Sequence, residues 1–388
     1  MSNRQQVRLL CLSIALVAIA MYPVTVAAWQ IQSGITSPCH EQLTLSAIKG
    51  ITGGAFSSGA PEYVNSPLFP PVNADVDGVV AGVADEFASV IGLEFGSDNA
   101  RLAGLSLIAG VRYPDINDSS AYNFFVMRPL MVLDEFEFHH FLRKSADDKD
   151  EGNVVAVQAG QEYIRSQIGL ALEAASLPLE QRFVTHRIAI DLYGEVDVLL
   201  YEPLFRFGVA LHAFEDSFAH TLRSDDLHEV LSVLNSIDAI SDDFDERRDG
   251  IAHSMAMDSC MGENHDIAVV AADAVRELVA AVSLRAAADV AAGQAPPAEI
   301  VPVTDPVEDV ILSWLEYAPG CGFDNNYCDS IWLHTVRKRP IGPLLAMALG
   351  CDSRSGHERD AGMDLTAVLL MSVLGLMIGR AVRKGRPS

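Results

Sequence analysis

The run His212-Ala213-Phe214-Glu215-Asp216-Ser217-Phe218-Ala219-His220 places two imidazoles and a carboxylate at i, i+4 and i+8. On a helix such positions drift by only ~40° per step and lie ~6 Å apart, so one helix edge offers three metal-ligating groups to the same space. Phe207, Leu211, Phe214 and Phe218 form a separate apolar stripe that faces a core and leaves the ligand edge on its shoulder. Imidazole with carboxylate is the ligand set of zinc or a neighbouring first-row metal.

A mononuclear centre needs three or four ligands and a multinuclear one needs more. Other segments supply candidates. His40 follows Cys39 and precedes a helical rhythm of Leu43, Leu45 and Ile48; His139 and His140 sit among Phe136, Phe138 and Phe141. Asp115 follows Pro114, where an apolar helix should stop, and His253 lies four residues after Asp249. Each of these alone reads as a buried histidine on a carbonyl or a capping aspartate. Their joint occurrence points to a metal centre.

The combination resembles the zinc-dependent phospholipase C superfamily, whose relatives include the fungal single-strand-specific zinc nucleases and the phospholipase-like domain of glycosylphosphatidylinositol-specific phospholipase D. The resemblance implies a multi-helix fold over residues 29 to about 280, with two or three zinc ions. It makes Trp29 the first mature residue, binding metal through its free amine and carbonyl, with His40 eleven residues on. Asp115, His140, His212, Asp216 and His220 are the matching ligand positions, carried most specifically by the segments Trp29 to His40 and His212 to Arg223. Asp216 and His220 are four apart with no intervening Pro, closer to the phospholipase D-like branch than to the longer, proline-containing spacing of the secreted phospholipases and nucleases. The closing His-x3-Glu or His-x3-Asp motif is missing after His220. His253 with Asp249 or with Asp258 stands in its place, and His228 and His265 are further candidates.

Arg4 and Arg8, the apolar run Leu9 to Ala20 and the small residues Val26-Ala27-Ala28 predict a secretory leader over residues 1–28, and cleavage would free the Trp29 amine. A free amine with a reference pKa near ~8 is readily held deprotonated by a metal. Five of the six cysteines then remain, an odd set for an oxidising compartment. Cys321 and Cys328 bracket a short polar loop suited to a local disulfide. A bridge between Cys39 and Cys260 would tie two ligand segments together, which leaves Cys351 over. Leu365 to Gly379 is apolar and is followed by Arg380, Arg383, Lys384 and Arg386. Extended to Val382, it approaches the ~20 residues of a membrane span, with the basic end inside. With Cys351 ahead of it, this tail resembles the C-terminal sorting tails of some Gram-negative surface proteins. The chain is therefore expected to cross the inner membrane and reside in the periplasm or at the cell surface, tethered by residues 365–382.

Formal net charge is −25, from 27 basic and 52 acidic residues, and removing the leader and tail bases makes the body more acidic still. Such a body repels polyanions at long range, which disfavours nucleic acid and suits a zwitterionic phospholipid or small phosphodiester at a membrane surface. Helical rhythm runs over 79–91, 103–110, 154–175, 180–193, 196–222, 227–240 and 267–291, while strand-like alternation is scarce, so an all-α fold is expected. The expected order is a leader (1–28), a helical phospholipase C-like domain (29–295), a small Cys-containing extension (296–350), a polar spacer (351–364), the apolar helix (365–382) and a basic tail (383–388). Residues 57–77 read as a loop able to cover a site. Nothing in the chain bears on oligomeric state.

These ligands suit phosphodiester hydrolysis by metal-activated water, with Asp115 orienting the water or taking its proton. Arg112 and Arg223 are each either a phosphate contact or an ion-pair residue. A zinc nuclease, or a non-catalytic surface protein with a degenerate metal site, are the alternatives.

Overall fold

In the computed structural model the described residues are 39–52, 66–71, 78–90, 95, 97–117, 130, 135–144, 149–190, 194–235, 244–253, 257–260, 262–292 and 305–337. Trp29, the expected leader, Cys351 and the apolar tail lie outside them. The described part is mostly helical, as the sequence leads one to expect, and its few strands are short. In chain order it comprises α1 (Cys39–Thr52), α2 (Gly78–Val90), α3 (Asp98–Ile116), a 3-10 turn (Glu137–His140), α4 (Lys149–Ser176), β1 (Phe183–Ile190), β2 (Gly194–Tyr201) and α5 (Glu202–Ala219). Then follow β3 (Thr221–Arg223), β4 (Val230–Val233), α6 (Glu246–Asp249), α7 (His265–Ala291), α8 (Pro306–Leu315) and α9 (Leu333–Val336).

The centre of the fold is α5. Pro203 stands in its first turn, where a missing N–H costs nothing, and every residue except Glu202 and Arg206 is buried. A helix buried on all sides must be wrapped, and α3 and α4 flank it while α7 closes the bundle against α1 and α8. Phe207, Leu211, Phe214 and Phe218 are fully buried. Each contributes roughly 1.5–3 kcal/mol by leaving water. Contact with α3 is unusually close: a Cβ on Gly110 would run into the Phe205 carbonyl, and one on Gly208 into the Leu107 carbonyl.

Three expectations are corrected. The segment predicted as helix over 180–193, and the first part of 196–222, form the antiparallel hairpin β1–β2, registered from Phe183 opposite Tyr201 to Ile190 opposite Gly194. Val184, Thr185, Ile188, Val196 and Val198 are β-branched, and Val198 and Leu200 are buried while Leu199 is exposed, a period of two. The segment from Leu227, also predicted as helix, instead contains β4, which pairs with β3. All four β4 residues are buried, so no alternation distinguishes this strand from a buried helix. Finally, α3 does not end before Pro114. It continues to Ile116, because a proline near a helix end removes one donor only, and Asn117 caps it by donating its N–H to the Tyr113 carbonyl at 2.7 Å.

The segment 305–337 packs directly on the bundle. Glu308 takes the Arg165 guanidinium at 2.6 Å, the Trp314 indole N–H donates to Glu277 at 2.9 Å, and the Val230 N–H donates to the Glu316 carbonyl at 2.8 Å. Two disulfides, Cys39–Cys260 and Cys321–Cys328, are formed, with Cα atoms 5.5 and 5.1 Å apart. No helix among the described residues is long and apolar enough to cross a membrane.

Candidate metal centre

His212 and Asp216, one turn apart on α5, meet: His212 Nε2 lies 3.1 Å from Asp216 Oδ2. His220 does not join them at the same point. It caps α5 outside helical geometry (φ −104°, ψ 16°), its Nδ1 faces the His140 carbonyl, and its Nε2 lies 3.4 Å from Asp258 Oδ1. The expected single edge of three ligands is thus divided in two. Nor is it a shoulder, since His212, Asp216 and His220 are completely buried by the elements wrapping α5.

Each remaining ligand arrives on its own element. The first turn of α1 is held in three directions by consecutive residues: Cys39 to Cys260, His40 to α5, and Glu41 to the Arg112 guanidinium of α3 at 2.9 Å. His40 Nε2 consequently lies 3.1 Å from Asp216 Oδ1. The 3-10 turn brings His140 Nδ1 to 3.2 Å from Asp216 Oδ2 and 3.0 Å from His212 Nε2. The last turn of α3 sets Asp115 Oδ1 at 3.8 Å from His140 Nδ1 and 3.9 Å from His212 Nε2. His253 Nε2 lies 2.8 Å from Asp258 Oδ1. Three groups result, His40/His212/Asp216, Asp115/His140/His212 and His220/His253/Asp258, each with ligand atoms within 4.8 Å of one another. Asp216 Oδ1 faces His40, and its Oδ2 faces both His212 and His140, so one carboxylate joins the first two groups.

These residues can hold a metal ion, and the hydrogen bonds favour it. His212 Nδ1 donates to the Val111 carbonyl at 2.8 Å, so a neutral ring carries its lone pair on Nε2, facing a carboxylate oxygen. Two lone pairs opposed at that distance are relieved by a cation between them. Both Asp115 oxygens, His140 Nε2 and Asp258 Oδ2 are buried with no hydrogen-bond partner among the described residues. Leaving such atoms unsatisfied costs about 1–3 kcal/mol each, more when charged.

Electrostatics point the same way. Burial pushes Asp115 and Asp258 up to about 7, and it pushes His212 down to about 3 and His253 down to about 4. Burial also opposes the charge on Asp216, yet the imidazoles of His212, His220 and His40 with the His140 hydrogen bond hold its carboxyl well below the usual range. Asp115 and Asp258, short of positive charge, with His212 and His253 kept neutral, suit a cation, whereas His40 and His140, though burial opposes their charge, are raised by the Asp216 carboxylate between them.

Other candidates lie elsewhere. His139 stacks on Tyr163 with ring centres 4.3 Å apart, His228 stacks on Trp314 at 4.3 Å, and His265 is exposed at the start of α7. Asp249 accepts from Arg248 at 2.6 Å, which leaves Asp258 as the partner of His253. Arg223 is buried, donating to the carbonyls of Leu227, Trp314 and Ser217 with its Cζ 3.9 Å from the Phe218 ring centre. Its guanidinium therefore serves the fold. Glu215 was not anticipated. It accepts from His40 Nδ1 at 2.6 Å, and its only sequence signal is a glutamate set between Phe214 and Asp216 in the helix that carries the motif.

Comparison with known protein families, with curated proteins and with solved structures finds no match. The resemblance to the zinc-dependent phospholipase C superfamily rests on the motif residues.

Proposed function

We propose that this chain is a secreted or envelope-tethered zinc-dependent phosphodiesterase of phospholipase C type. The observation that carries the reading is the single carboxylate Asp216, with one oxygen on His40 and the other on His140 and His212, beside a second His/Asp group one turn away. Mixed imidazole and carboxylate donors favour zinc over magnesium or calcium. His40, Asp115, His140, His212, Asp216, His220, His253 and Asp258 would hold two or three ions, joined by the Trp29 amine. Bound zinc supplies Lewis acidity and a nucleophile at neutral pH.

The chain's own residues do the rest. Asp115, a buried carboxyl whose oxygens have no hydrogen-bond donor, would orient the attacking water or take its proton. Val111, Glu215 and the His140 carbonyl keep the Nδ1 protons of His212, His40 and His220 in place. Arg112 neutralises Glu41 and so limits the negative charge a phosphodiester meets. The acidic body favours a zwitterionic lipid or small phosphodiester over nucleic acid.

One observation favours a second reading, a non-catalytic metal site that stabilises a surface protein. The ligand side chains expose at most 3 % of their area, and structural zinc sites are closed whereas catalytic ones keep an open position. Metal content per purified, N-terminally sequenced chain, followed by assays on phosphatidylcholine and on single-stranded DNA, decides. Two or three zinc ions with lipid turnover are expected. Bound zinc without turnover of either substrate selects the second reading, and a metal-free chain refutes both.

A further inference from the structure

We infer that Glu215 is a positioning residue for the metal ligand His40, with Thr44 as its anchor; the inference builds on the metal centre of the proposed function. Glu215 precedes Asp216 on α5, but its side chain leaves toward α1. There one carboxylate oxygen accepts from His40 Nδ1 at 2.6 Å, and the other accepts from the Thr44 hydroxyl at 2.5 Å. His40 and Thr44 are one turn apart on α1, so a single carboxylate grips two successive turns of that helix. All three side chains are fully buried.

This arrangement has a chemical consequence at the opposite nitrogen. A carboxylate accepts only, so it fixes the proton on Nδ1 and leaves the Nε2 lone pair directed at the Asp216 side of the centre. It also raises the basicity of that lone pair, as carboxylates behind metal-bound histidines do. Rotation of the imidazole is limited on its other side by the His212 ring, stacked with centroids 4.2 Å apart. His212 and His220 achieve the same tautomer through main-chain carbonyls. His40 alone among these three relies on an ionisable side chain, and so its ligand strength is the one a substitution can tune.

The test compares the purified wild-type protein with E215Q and T44V, using zinc affinity by chelator competition, the visible spectrum of the cobalt-substituted protein, and cooperative melting of the metal-free protein. E215Q keeps the shape and still offers an acceptor, but loses the negative charge behind the ring. Its zinc affinity is expected to fall about 10–100-fold with a shifted cobalt spectrum, while T44V, which frees only the far oxygen, is expected to fall by a smaller, measurable factor of about 3–10. A merely structural role would move the melting curve and leave affinity and spectrum unchanged; that result overturns the inference. If E215Q does not melt cooperatively, T44V decides, and T44V with wild-type affinity overturns it. Wild-type protein that binds zinc but hydrolyses no phosphodiester refutes the enzyme while leaving the Glu215 comparison readable. Wild-type protein that binds no zinc or cobalt overturns both.

Discussion

Replacing Gly208 by Ala sets two effects against each other. Intrinsic helix propensity favours the change by about 1 kcal/mol, because glycine in a helix interior gives up more backbone freedom than alanine. Packing opposes it. The new methyl would sit on the Leu107 carbonyl, 2.9 Å from the Val111 nitrogen and 3.0 Å from Gly110 Cα, all of them backbone atoms that cannot rotate away. Ordinary contact needs about half an ångström more at the Val111 nitrogen and Gly110 Cα and about one ångström more at the Leu107 oxygen, so α3 and α5 must separate, and overpacking of this kind costs about 1–3 kcal/mol. The same separation strains the 2.8 Å bond from His212 Nδ1 to the Val111 carbonyl, one turn from the substituted position, and tilts the ligand ring. The net expectation is a loss of up to about 2 kcal/mol in urea unfolding together with weaker zinc binding. The control is Gly169→Ala in α4, where a methyl meets nothing within 4 Å. There propensity acts alone, and a gain of about 0.5–1 kcal/mol with unchanged zinc binding is expected. Gly208→Ala protein as stable as Gly169→Ala, with zinc affinity intact, would refute the claim that helix approach positions His212.

The three ligand groups also differ in what they share. Asp258→Asn touches the His220/His253 group only, and elemental analysis should show about one zinc fewer per chain, whereas Asp216→Asn, whose oxygens serve His40, His140 and His212, should remove more. Equal losses would mean that the groups are not distinct. At the surface, burial opposes the Glu202 charge, but His186 at 2.6 Å and Arg206 at 2.7 Å hold its carboxyl below 4.5. A depressed carboxyl contributes stability that is complete above the unfolded value and disappears as pH falls through the folded one. The stability gap between wild type and E202Q, measured across a pH series of urea melts, should therefore be open at pH 7 and close below about 4.5; a gap that widens in acid contradicts the pairing.

Much of the centre was legible because helical spacing is a local rule. The His212/Asp216 pair follows from i, i+4 alone, and the cysteines beside His40 and after His253 suggested the bridge that ties them. What escaped depends on tertiary contacts. The strand β4 is an apolar run buried at every position, which erases the distinction between periods of two and 3.6, whereas the hairpin β1–β2 carries its period of two in β-branched residues that the helical reading passed over. His220 lies on the other side of the helix end, a one-residue boundary that spacing does not reveal. Glu215 adjoins Asp216 in sequence, but neighbours on a helix point about 100° apart and here serve different elements, so the spacing that picks out Asp216 passes over Glu215. The choice of Asp258 over Asp249 as the His253 partner was open because both lie within reach along the chain, and Arg248 settles it by engaging Asp249.

The three ties on the first turn of α1 reach across 71, 175 and 221 residues of chain. Contacts so distant in sequence close large loops and form late, after the local helices they join. Synthesis must pass Cys260 before the last tie exists, and a thiol-rich compartment keeps it open. Under the proposed metal centre, ion uptake at His40 and Asp258 would be a maturation step: a truncated or reduced chain would build its helices while remaining unable to retain the full metal complement.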